Sequence, residues 1–329
     1  MRRRLAFGVF VGVLLLFSLV GSVVAAEKTY ELKVSMVITQ DDTIYKGYEK
    51  FKEGVEARTN GKVKVELYPG GVLGRDEEML EQAVLGAGVC VNTDAGRLGV
   101  WVPEIGILLC PYLVDSVEEM QKLLKSDLPK EWFEKLRKEQ GLVVLAFNWY
   151  AGARHFLTKK PIQKPEDLEG LKIRTPGAPV WQETIRALGA TPVALPWTEV
   201  YPALQQGVID GAEAQHPATY GSKLYEVTKY ITRTGHIQLW NAPVVGDKWF
   251  SQLPEEYQKI LFEEAEKAGD YATSLLLETL DDLEAKMAAE GAVISDVDLE
   301  PFKKRAEAVY EKLGYQELRK KIREFLGKE

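Results

Sequence analysis

The longest segment compatible with a single helix covers residues 254–290, and it constrains the fold more than any other feature. No proline interrupts it after its first position, acidic residues follow at its start, and Gly291 ends it. Apolar residues recur every three or four positions, as on one face of a helix. About 37 residues at 1.5 Å each give roughly 55 Å, nearly twice the width of a small domain. We therefore predict one helix that bridges two lobes; two helices separated near Gly269 are the alternative.

Outside this segment, strand-like and helix-like patterns alternate. Residues 62–68 alternate between apolar and charged side chains, which is typical of a half-exposed strand. Asp42 or Thr43 can cap the preceding helix, and Asn60-Gly61 ends it. The alternation predicts an α/β fold of doubly wound layers. The predicted strands cover residues 32–36, 62–68, 89–93, 106–110, 142–147, 171–174, 192–195 and 208–213, and a second helix covers residues 76–85.

The first 26 residues have the three parts of a secretory signal peptide. Arginines occupy positions 2–4, an uncharged apolar stretch follows, and small residues at 24–26 suit cleavage. We predict a signal peptide over residues 1–26, with a retained membrane anchor as the alternative. Loss of the three arginines changes the formal net charge from -7 to about -10. The mature protein is thus expected to be acidic, soluble and exported.

Charge and cysteine content exclude several classes of protein. There are 42 Lys and Arg against 49 Asp and Glu, and no basic block exceeds a few residues, so no nucleic acid partner is expected. Cys90 and Cys110 both lie in apolar stretches. They can form a disulfide outside the cytoplasm or remain two buried thiols. Their number and spacing indicate no metal site.

Catalytic signatures are also absent. The sequence has no G-x-S-x-G, H-E-x-x-H, Walker A or C-x-x-C motif, and its glycines lack the G-x-G-x-x-G spacing of a dinucleotide site. Its three histidines, His155, His216 and His236, are expected to be structural or at the surface. We therefore predict that the protein is not an enzyme and needs no cofactor. An exported hydrolase acting through paired carboxylates is the alternative.

The strongest signal for a site lies in residues 170–190, GLKIRTPGAPVWQETIRALGA. This segment puts Arg174 at the carboxyl end of a strand, and a turn at Pro176-Gly177 leads into a helix. The guanidinium and the free N–H groups of the helix then face one crevice. A planar guanidinium binds a carboxylate through two parallel hydrogen bonds. Arg174 is therefore a candidate carboxylate receptor, and an internal ion pair with Asp or Glu is the alternative.

Aromatic residues cluster in the same part of the chain. Most aromatic side chains belong to a core. A flat ring at the edge of a crevice can, however, cover a ligand and exclude water. The aromatic candidates for a ligand pocket are Trp149, Tyr150, Trp181 and Trp197.

Four segments in order give the chain a family resemblance. They are LYPGGVLGRDEEML (67–80), PIQKPEDLEGLKIRTP (161–176), ALGATPVALPWTEVYPALQQGVIDGAE (187–213) and LPEEYQKIL (253–261). Together they resemble the solute-binding proteins of TRAP (tripartite ATP-independent periplasmic) transporters, the DctP family, from about residue 29 to residue 314. The resemblance implies a two-lobed, periplasmic-binding-protein-like α/β fold with a ligand cleft between the lobes and the long helix across both. Lobe one would hold residues 28–151 plus 240–279, and lobe two residues 152–239 plus 280–329.

The same resemblance implies an extracytoplasmic, periplasmic protein. It would capture a small organic acid by hinge closure and deliver it to the membrane subunits of a TRAP permease. A sensor subunit that passes its closed shape to a membrane receptor is the alternative, beside the hydrolase. The sequence leaves open whether the protein is a monomer or a homo-oligomer.

Matched position by position, the resemblance assigns five site residues. Arg174 would grip the ligand carboxylate, and Arg154 would be a second arginine facing the ligand. Trp197 would pack on the ligand. Asp94 and Glu213 would border the site, and a cation held beside Glu213 is left open.

One position departs from the family pattern. Many members continue the stretch after the equivalent of Glu213 as Asn-Pro, whereas this chain has Ala214 and Gln215. Ala214 cannot donate the hydrogen bond of that Asn, and Gln215 would replace it from one position further on. The positive charges of Arg154 and Arg174 balance the negative charges of Asp94 and Glu213. A bound monoanion would then leave the pocket with a net charge near -1. We therefore expect a ligand with one carboxylate and additional hydroxyl, keto or amino groups.

Overall fold

The computed structural model describes residues 28–328, and the predicted signal peptide lies outside them. Within that part, ten strands form one sheet with helices packed on it. None of the described helices combines the length and apolar character that a membrane span requires. The strands are β1 (Tyr30–Ser35), β2 (Val63–Tyr68), β3 (Val89–Asp94), β4 (Leu142–Val144), β5 (Trp149–Thr158), β6 (Lys172–Thr175), β7 (Thr191–Ala194), β8 (Gly211–Ala214), β9 (Tyr230–Gly246) and β10 (Val293–Asp296). The helices are α1 (Thr43–Arg58), α2 (Asp76–Leu85), α3 (Ala95–Leu98), α4 (Pro103–Gly106), α5 (Val117–Leu124), α6 (Asp127–Gln140), α7 (Pro179–Leu188), α8 (Val200–Gln206), α9 (His216–Gly221), α10 (Leu224–Thr228), α11 (Asp247–Phe250), α12 (Glu255–Ala289), α13 (Glu300–Lys312) and α14 (Gln316–Leu326).

Two long central strands join two groups of shorter strands. The order along the sheet is β2-β1-β3-β9-β5-β8-β6-β7, and β4 and β10 each pair with β9. The outer strands pair in parallel on both sides, whereas β9 is antiparallel to β3 and β5. One end of the 17-residue β9 pairs with β3, and its other end pairs with β10. Strands β5 and β9 therefore cross between the two groups.

The sequence requires such crossing connections but does not locate β5 and β9, and their burial explains why. Nine of the ten residues of β5 are buried, as are most residues of β9. A strand covered on both faces lacks the alternation of apolar and polar residues that marks a half-exposed strand. Strand β2 has one exposed face, and its observed bounds differ from the predicted ones by a single residue.

The buried apolar side chains of the described residues form three clusters. The largest lies on the β1–β3 side of the sheet, and the two smaller ones lie on the β6–β8 side. Helix α13 contributes to both sides, because Phe302 and Ala306 belong to a small cluster while Val309 and Tyr310 belong to the largest. The predicted lobe limits assign all of residues 280–329 to lobe two, and these limits remain a prediction.

Helix α12 is continuous over 35 residues, so the predicted single helix is confirmed and the alternative of two helices is wrong. Gly269 provides close packing instead of a break, because a Cβ added there would lie only 2.7 Å from Cδ1 of Trp149. Leu276 belongs to the largest apolar cluster, and Met287 belongs to a small cluster on the other side. One helix thus contributes to the cores of both halves, as a bridging helix must.

Several local predictions differ from the structure. The predicted strand at residues 106–110 is wrong: α4 and a 3-10 turn at Ile107–Leu109 occupy this stretch. A short, fully buried apolar run does not reveal by periodicity whether it is strand or helix, and Pro103 favours a helix start. Cys90 and Cys110 are both free and buried, so the alternative of two thiols holds. Asp42 caps α1 as predicted, its carboxylate accepting a hydrogen bond from the N–H of Ile44 at 2.9 Å.

Neighbouring leucines on α12 test its packing role. Leu276 is fully buried, whereas Leu277 is 52% exposed. We expect Leu276→Ala to lower the free energy of unfolding by about 2 to 5 kcal/mol, because it removes buried methyl groups and leaves a cavity. Leu277→Ala should change it by about 0.5 kcal/mol or less. Equal effects of the two substitutions in chemical denaturation would contradict this packing of α12.

Candidate functional site

A cavity opens where the two groups of strands meet. Its wall takes side chains from both predicted lobes, and polar groups make up much of it. Asp94 ends β3 and Arg97 follows on α3, on the lobe-one side. Arg154 on β5 and Arg174 on β6 face them from the lobe-two side. Two groups of charged residues that are distant in sequence therefore meet at one hollow.

Arg174 is the cavity arginine with the fewest partners. It is 2% exposed, its Nε donates to the carbonyl of Leu195 at 2.9 Å, and its guanidinium lies 5.2 Å from the ring centre of Trp197. In the described part of the chain, no carboxylate forms an ion pair with it and its Nη atoms make no hydrogen bond. Burial lowers the pKa of Arg174 to about 9, with Arg154 and Arg97 acting in the same direction and Glu213 against them. The internal ion pair considered from the sequence is thus not formed.

Arg154 is, by contrast, held on every side by protein groups. Its Nε and one Nη donate to the side chain and the backbone carbonyl of Glu213, and its other Nη donates to Oε1 of Gln215 at 2.6 Å. The ring of Trp181 lies 4.7 Å from the guanidinium. Glu213 is fully buried behind Arg154 and also accepts from Oγ1 of Thr175 at 2.9 Å. Burial opposes the ionisation of Glu213, but Arg154 and His236 outweigh it and lower the pKa of Glu213 to about 2.

On the opposite wall, Arg97 is surrounded by carboxylates. It forms ion pairs with Asp94, with Asp76 at 3.3 Å and with Glu77 at 2.8 Å. Asp94 also accepts from Nε1 of Trp181 at 3.2 Å, a contact between the two predicted lobes. Burial raises the pKa of Asp76 to about 6 although Arg97 acts against it, and Oδ1 of Asp76 has no hydrogen-bond partner.

Five of the predicted site residues lie in the cavity wall together with Arg174: Asp94, Arg154, Trp181, Trp197 and Gln215. Glu213 lies directly behind Arg154. Trp149 and Tyr150 do not line this cavity. Nε1 of Trp149 donates to the carbonyl of Ala265 at 3.0 Å, and the ring of Tyr150 packs on Trp240. Both belong to the largest apolar cluster, as most aromatic residues do.

Sequence reasoning missed five polar residues of the wall: Asp76, Asn92, Thr93, Arg97 and Asn241. For Arg97 a signal was present, since it follows Asp94 by three residues just after the end of a predicted strand. For Asp76 the first position of a predicted helix was also visible. Asn241 had no signal, because it lies within the unrecognised strand β9.

Comparison with known proteins identifies the family. The model of the bacterial extracellular solute-binding protein family 7, DctP, matches residues 34–317. The chain belongs to this family. The C4-dicarboxylate-binding periplasmic protein DctP of Rhodobacter capsulatus is 33% identical to it over 279 residues, which cover 84% of this chain and 83% of that protein. The family resemblance predicted from the sequence is thereby confirmed.

Solved structures of DctP-family proteins share the fold. A TRAP periplasmic solute-binding protein from Escherichia fergusonii, in an apo open form, is 44% identical with a TM-score of 0.79, covering 90% of this chain and 100% of that one. A TRAP periplasmic solute-binding protein from Ochrobacterium anthropi, with bound L-fuconate, is 36% identical with a TM-score of 0.87, covering 91% and 99%. The predicted two-lobed α/β fold with a bridging helix is confirmed. The family consists of periplasmic binding proteins, not enzymes, and its TRAP members bind small acids and work with membrane permeases.

The buried pair of Arg154 and Glu213 allows a test of this DctP-family site. We expect Glu213→Gln to lower the free energy of unfolding by about 3 to 5 kcal/mol, because it leaves the Arg154 charge buried without its partner. Glu199 pairs with Arg75 at 3.3 Å and is half exposed, so Glu199→Gln is the control, with an effect of about 1 kcal/mol or less.

The pH dependence of this effect follows from the lowered pKa of Glu213. The contribution of Glu213 is fully present above its unfolded pKa of 4.5 and is lost as the pH falls through about 2. The difference between wild type and Glu213→Gln in chemical denaturation should therefore shrink below pH 4.5. A difference that stays constant down to pH 2 would show that the carboxylate does not stabilise the fold by its charge.

Proposed function

We propose that this DctP-family protein captures a sugar acid with a single carboxylate and several hydroxyl groups. The buried, unpaired guanidinium of Arg174 is the observation that carries the proposal. An ionised carboxylate loses several kcal/mol of hydration on leaving water, so its site must offer fixed donors in return. The free Nη atoms of Arg174 supply two such donors in the parallel geometry that a carboxylate accepts.

The distribution of charge favours one carboxylate over two. Arg154 is neutralised by Glu213, and Arg97 is shared by Asp94 and Asp76. Of the three cavity arginines, Arg174 alone has no ion-pair partner among the described residues. A second carboxylate would meet Asp94 and Asp76, whose own arginine is already engaged, and like charges in a buried site repel. A monoanion is therefore the ligand that the wall accommodates.

The remaining wall suits hydroxyl groups. Oδ1 of Asp76 and Oγ1 of Thr93 are buried without a hydrogen-bond partner, and the Nε2 of Gln215 makes no hydrogen bond within the described chain. Leaving a buried polar atom unpaired costs about 1 to 3 kcal/mol, so a ligand with several hydroxyls relieves these groups. The L-fuconate bound by the Ochrobacterium anthropi relative is a ligand of this kind, with one carboxylate and several hydroxyls.

We further propose that the lobes close over the ligand and that the closed form is delivered to a TRAP permease. Contacts between the predicted lobes support closure: Trp181 bonds to Asp94 and Arg75 pairs with Glu199. The structural comparison also supports closure. The TM-score to the relative with bound L-fuconate is higher than that to the apo open relative, although the apo open relative has the higher sequence identity. A ligand that contacts both lobes favours the closed state by its extra affinity for it.

Binding on this proposal needs no cation. Both carboxylate oxygens of Glu213 already accept hydrogen bonds, one from Arg154 and one from Thr175. Among the described residues, no group of three or more His, Cys, Asp or Glu is arranged to hold a metal ion. Calorimetric titrations with and without a chelator should therefore give the same affinity.

The class of ligand is tested by identifying what the purified protein retains. We expect mass spectrometry of the compounds released on denaturation to show a polyhydroxylated acid with one carboxylate, since this fits the charge and the unpaired atoms of the wall. The same protein denatured after extensive dialysis serves as the blank. Release of a dicarboxylate, or of a compound without an acid group, would contradict the proposal.

The role of Arg174 is tested by substitution. We expect Arg174→Ala to weaken binding of the retained compound about 100-fold or more, because truncating one partner of a buried charge pair costs about 2 to 5 kcal/mol. Arg186 on α7 is the control, since its side chain is 53% exposed and Arg186→Ala should leave the affinity unchanged. Calorimetric titration of both variants provides the comparison, and an unchanged affinity of Arg174→Ala would remove Arg174 from the site.

A further inference from the structure

The three histidines of the chain meet in one buried cluster behind the cavity. His155 and His216 are 7% and 2% exposed, and their ring centres lie 4.6 Å apart. His236 is fully buried, with Nε2 3.8 Å from Oε2 of Glu213. His236 contributes to the lowered pKa of Glu213, whereas in the described chain His155 and His216 form no hydrogen bond with a side chain of the cavity wall or of the predicted site. The expectation of structural or surface histidines does not explain why three buried histidines so far apart in sequence converge.

The elements that carry the cluster are those that run between the two halves of the molecule. His155 lies on β5 and His236 on β9, the two crossing strands. His216 begins α9, and its Nε2 lies 2.7 Å from Oε1 of Glu284 on the bridging helix α12. A relative motion of the two halves of the molecule would therefore change the distances within this cluster.

His155 holds an irregularity in the pairing of the two crossing strands. Its Nδ1 accepts a hydrogen bond from the N–H of Gly235 at 3.1 Å. Gly235 has φ +53°, and the register of β5 and β9 shifts between Arg154 and Phe156. Such a bulge re-aims the side chains beside it, and Arg154 is the neighbour that faces the cavity. Because only an unprotonated imidazole nitrogen accepts a hydrogen bond, His155 must be uncharged at Nδ1 to form this contact.

The groups around His155 oppose its protonation. Glu284 is shared between His216 and Arg233, and Arg233 also pairs with Asp296 at 2.6 Å. No carboxylate pairs with His155 in the described part of the chain. Burial, with His216, His236, Arg233 and Arg154 in support, holds the pKa of His155 well below 6.5. The charged and titratable groups that face His155 and His216 are Arg154 on β5, Glu213 on β8, Arg233 and His236 on β9, Asp296 on β10 and Glu284 on α12.

We propose that His155 is a positioning residue for ligand capture. When it is uncharged, His155 fixes the bulge that directs Arg154 into the cavity. Acidification breaks the hydrogen bond between His155 and Gly235 and thereby frees the bulge. The effect on capture rests on the proposed function, whereas the hydrogen bond to Gly235 does not. A state in which the bulge is loosened exposes His155, which then takes up a proton near its ordinary pKa of 6.5. Protons therefore favour the loosened state as the pH falls below 6.5, by up to about tenfold per pH unit.

Amide hydrogen exchange at Gly235 tests the hydrogen bond between Gly235 and His155 without any ligand. In the wild-type protein, protection of this amide, corrected for the intrinsic exchange rate, should fall about tenfold or more between pH 7.5 and pH 5. His155→Asn is the matched control, because its amide oxygen can accept in place of Nδ1 and does not titrate. It should keep the protection across this range, and His155→Phe should lose it at every pH. The same loss of protection on acidification in wild type and His155→Asn would overturn the assignment.

Calorimetric titration with L-fuconate tests the link to capture. Wild-type affinity should fall more between pH 7.5 and pH 5 than that of His155→Asn, by the factor by which the loosened population measured at Gly235 reduces the competent fraction. Asp76, whose pKa burial raises to about 6, is present in both wild type and His155→Asn. The comparison therefore rests on the difference between the affinity losses of the two proteins. Equal losses, together with a pH-dependent Gly235 amide, would overturn the positioning role. Failure of L-fuconate to bind at pH 7.5 would instead count against the proposed function, and the exchange experiment would still decide the role of His155.

Discussion

The charge of Arg174, buried without an ion-pair partner in the described chain, is the constraint on which the cavity depends. A fold that removes a guanidinium from water gives up several kcal/mol of hydration, and here a backbone carbonyl and an indole ring return only part of it. The lowered pKa of about 9 expresses this cost, yet it still leaves Arg174 charged at neutral pH. The protein therefore contains an electrostatic deficit that an anion with two acceptor oxygens relieves.

The three arginines of the cavity differ in their partners and not in residue type. Arg154 and Arg97 line the hollow together with Arg174, but Glu213 neutralises the first and three carboxylates surround the second. Both then act as rigid parts of the wall, because charge-assisted hydrogen bonds fix the planar guanidinium. The residues that distinguish them lie far apart in sequence, so the division of roles exists only once the sheet has formed.

The sequence predicted the features that neighbouring residues determine, and it missed those that depend on residues far apart in the chain. The α12 stripe, the bounds of α2 and the cap of α1 are local patterns, and each agreed with the structure. The position of Arg174 at the end of β6 was also local. The wall residues Arg97 and Asp76 required knowing which strand ends meet, and Trp149 was assigned to the pocket only because it is near other aromatic residues in sequence. Strands β5 and β9 escaped detection because burial on both faces removes their alternation.

The pairing of strands β8 and β5 links the cavity to the histidine cluster. Ala214 on β8 pairs directly with His155 on β5. Side chains of directly paired residues share a face of the sheet about 5 Å apart. Ala214 is fully buried and adds no polar group to that layer, while the next residue, Gln215, reaches the cavity and binds Arg154. An apolar residue therefore lies beside the buried imidazole of His155, and the next residue along the chain contributes its amide to the cavity wall.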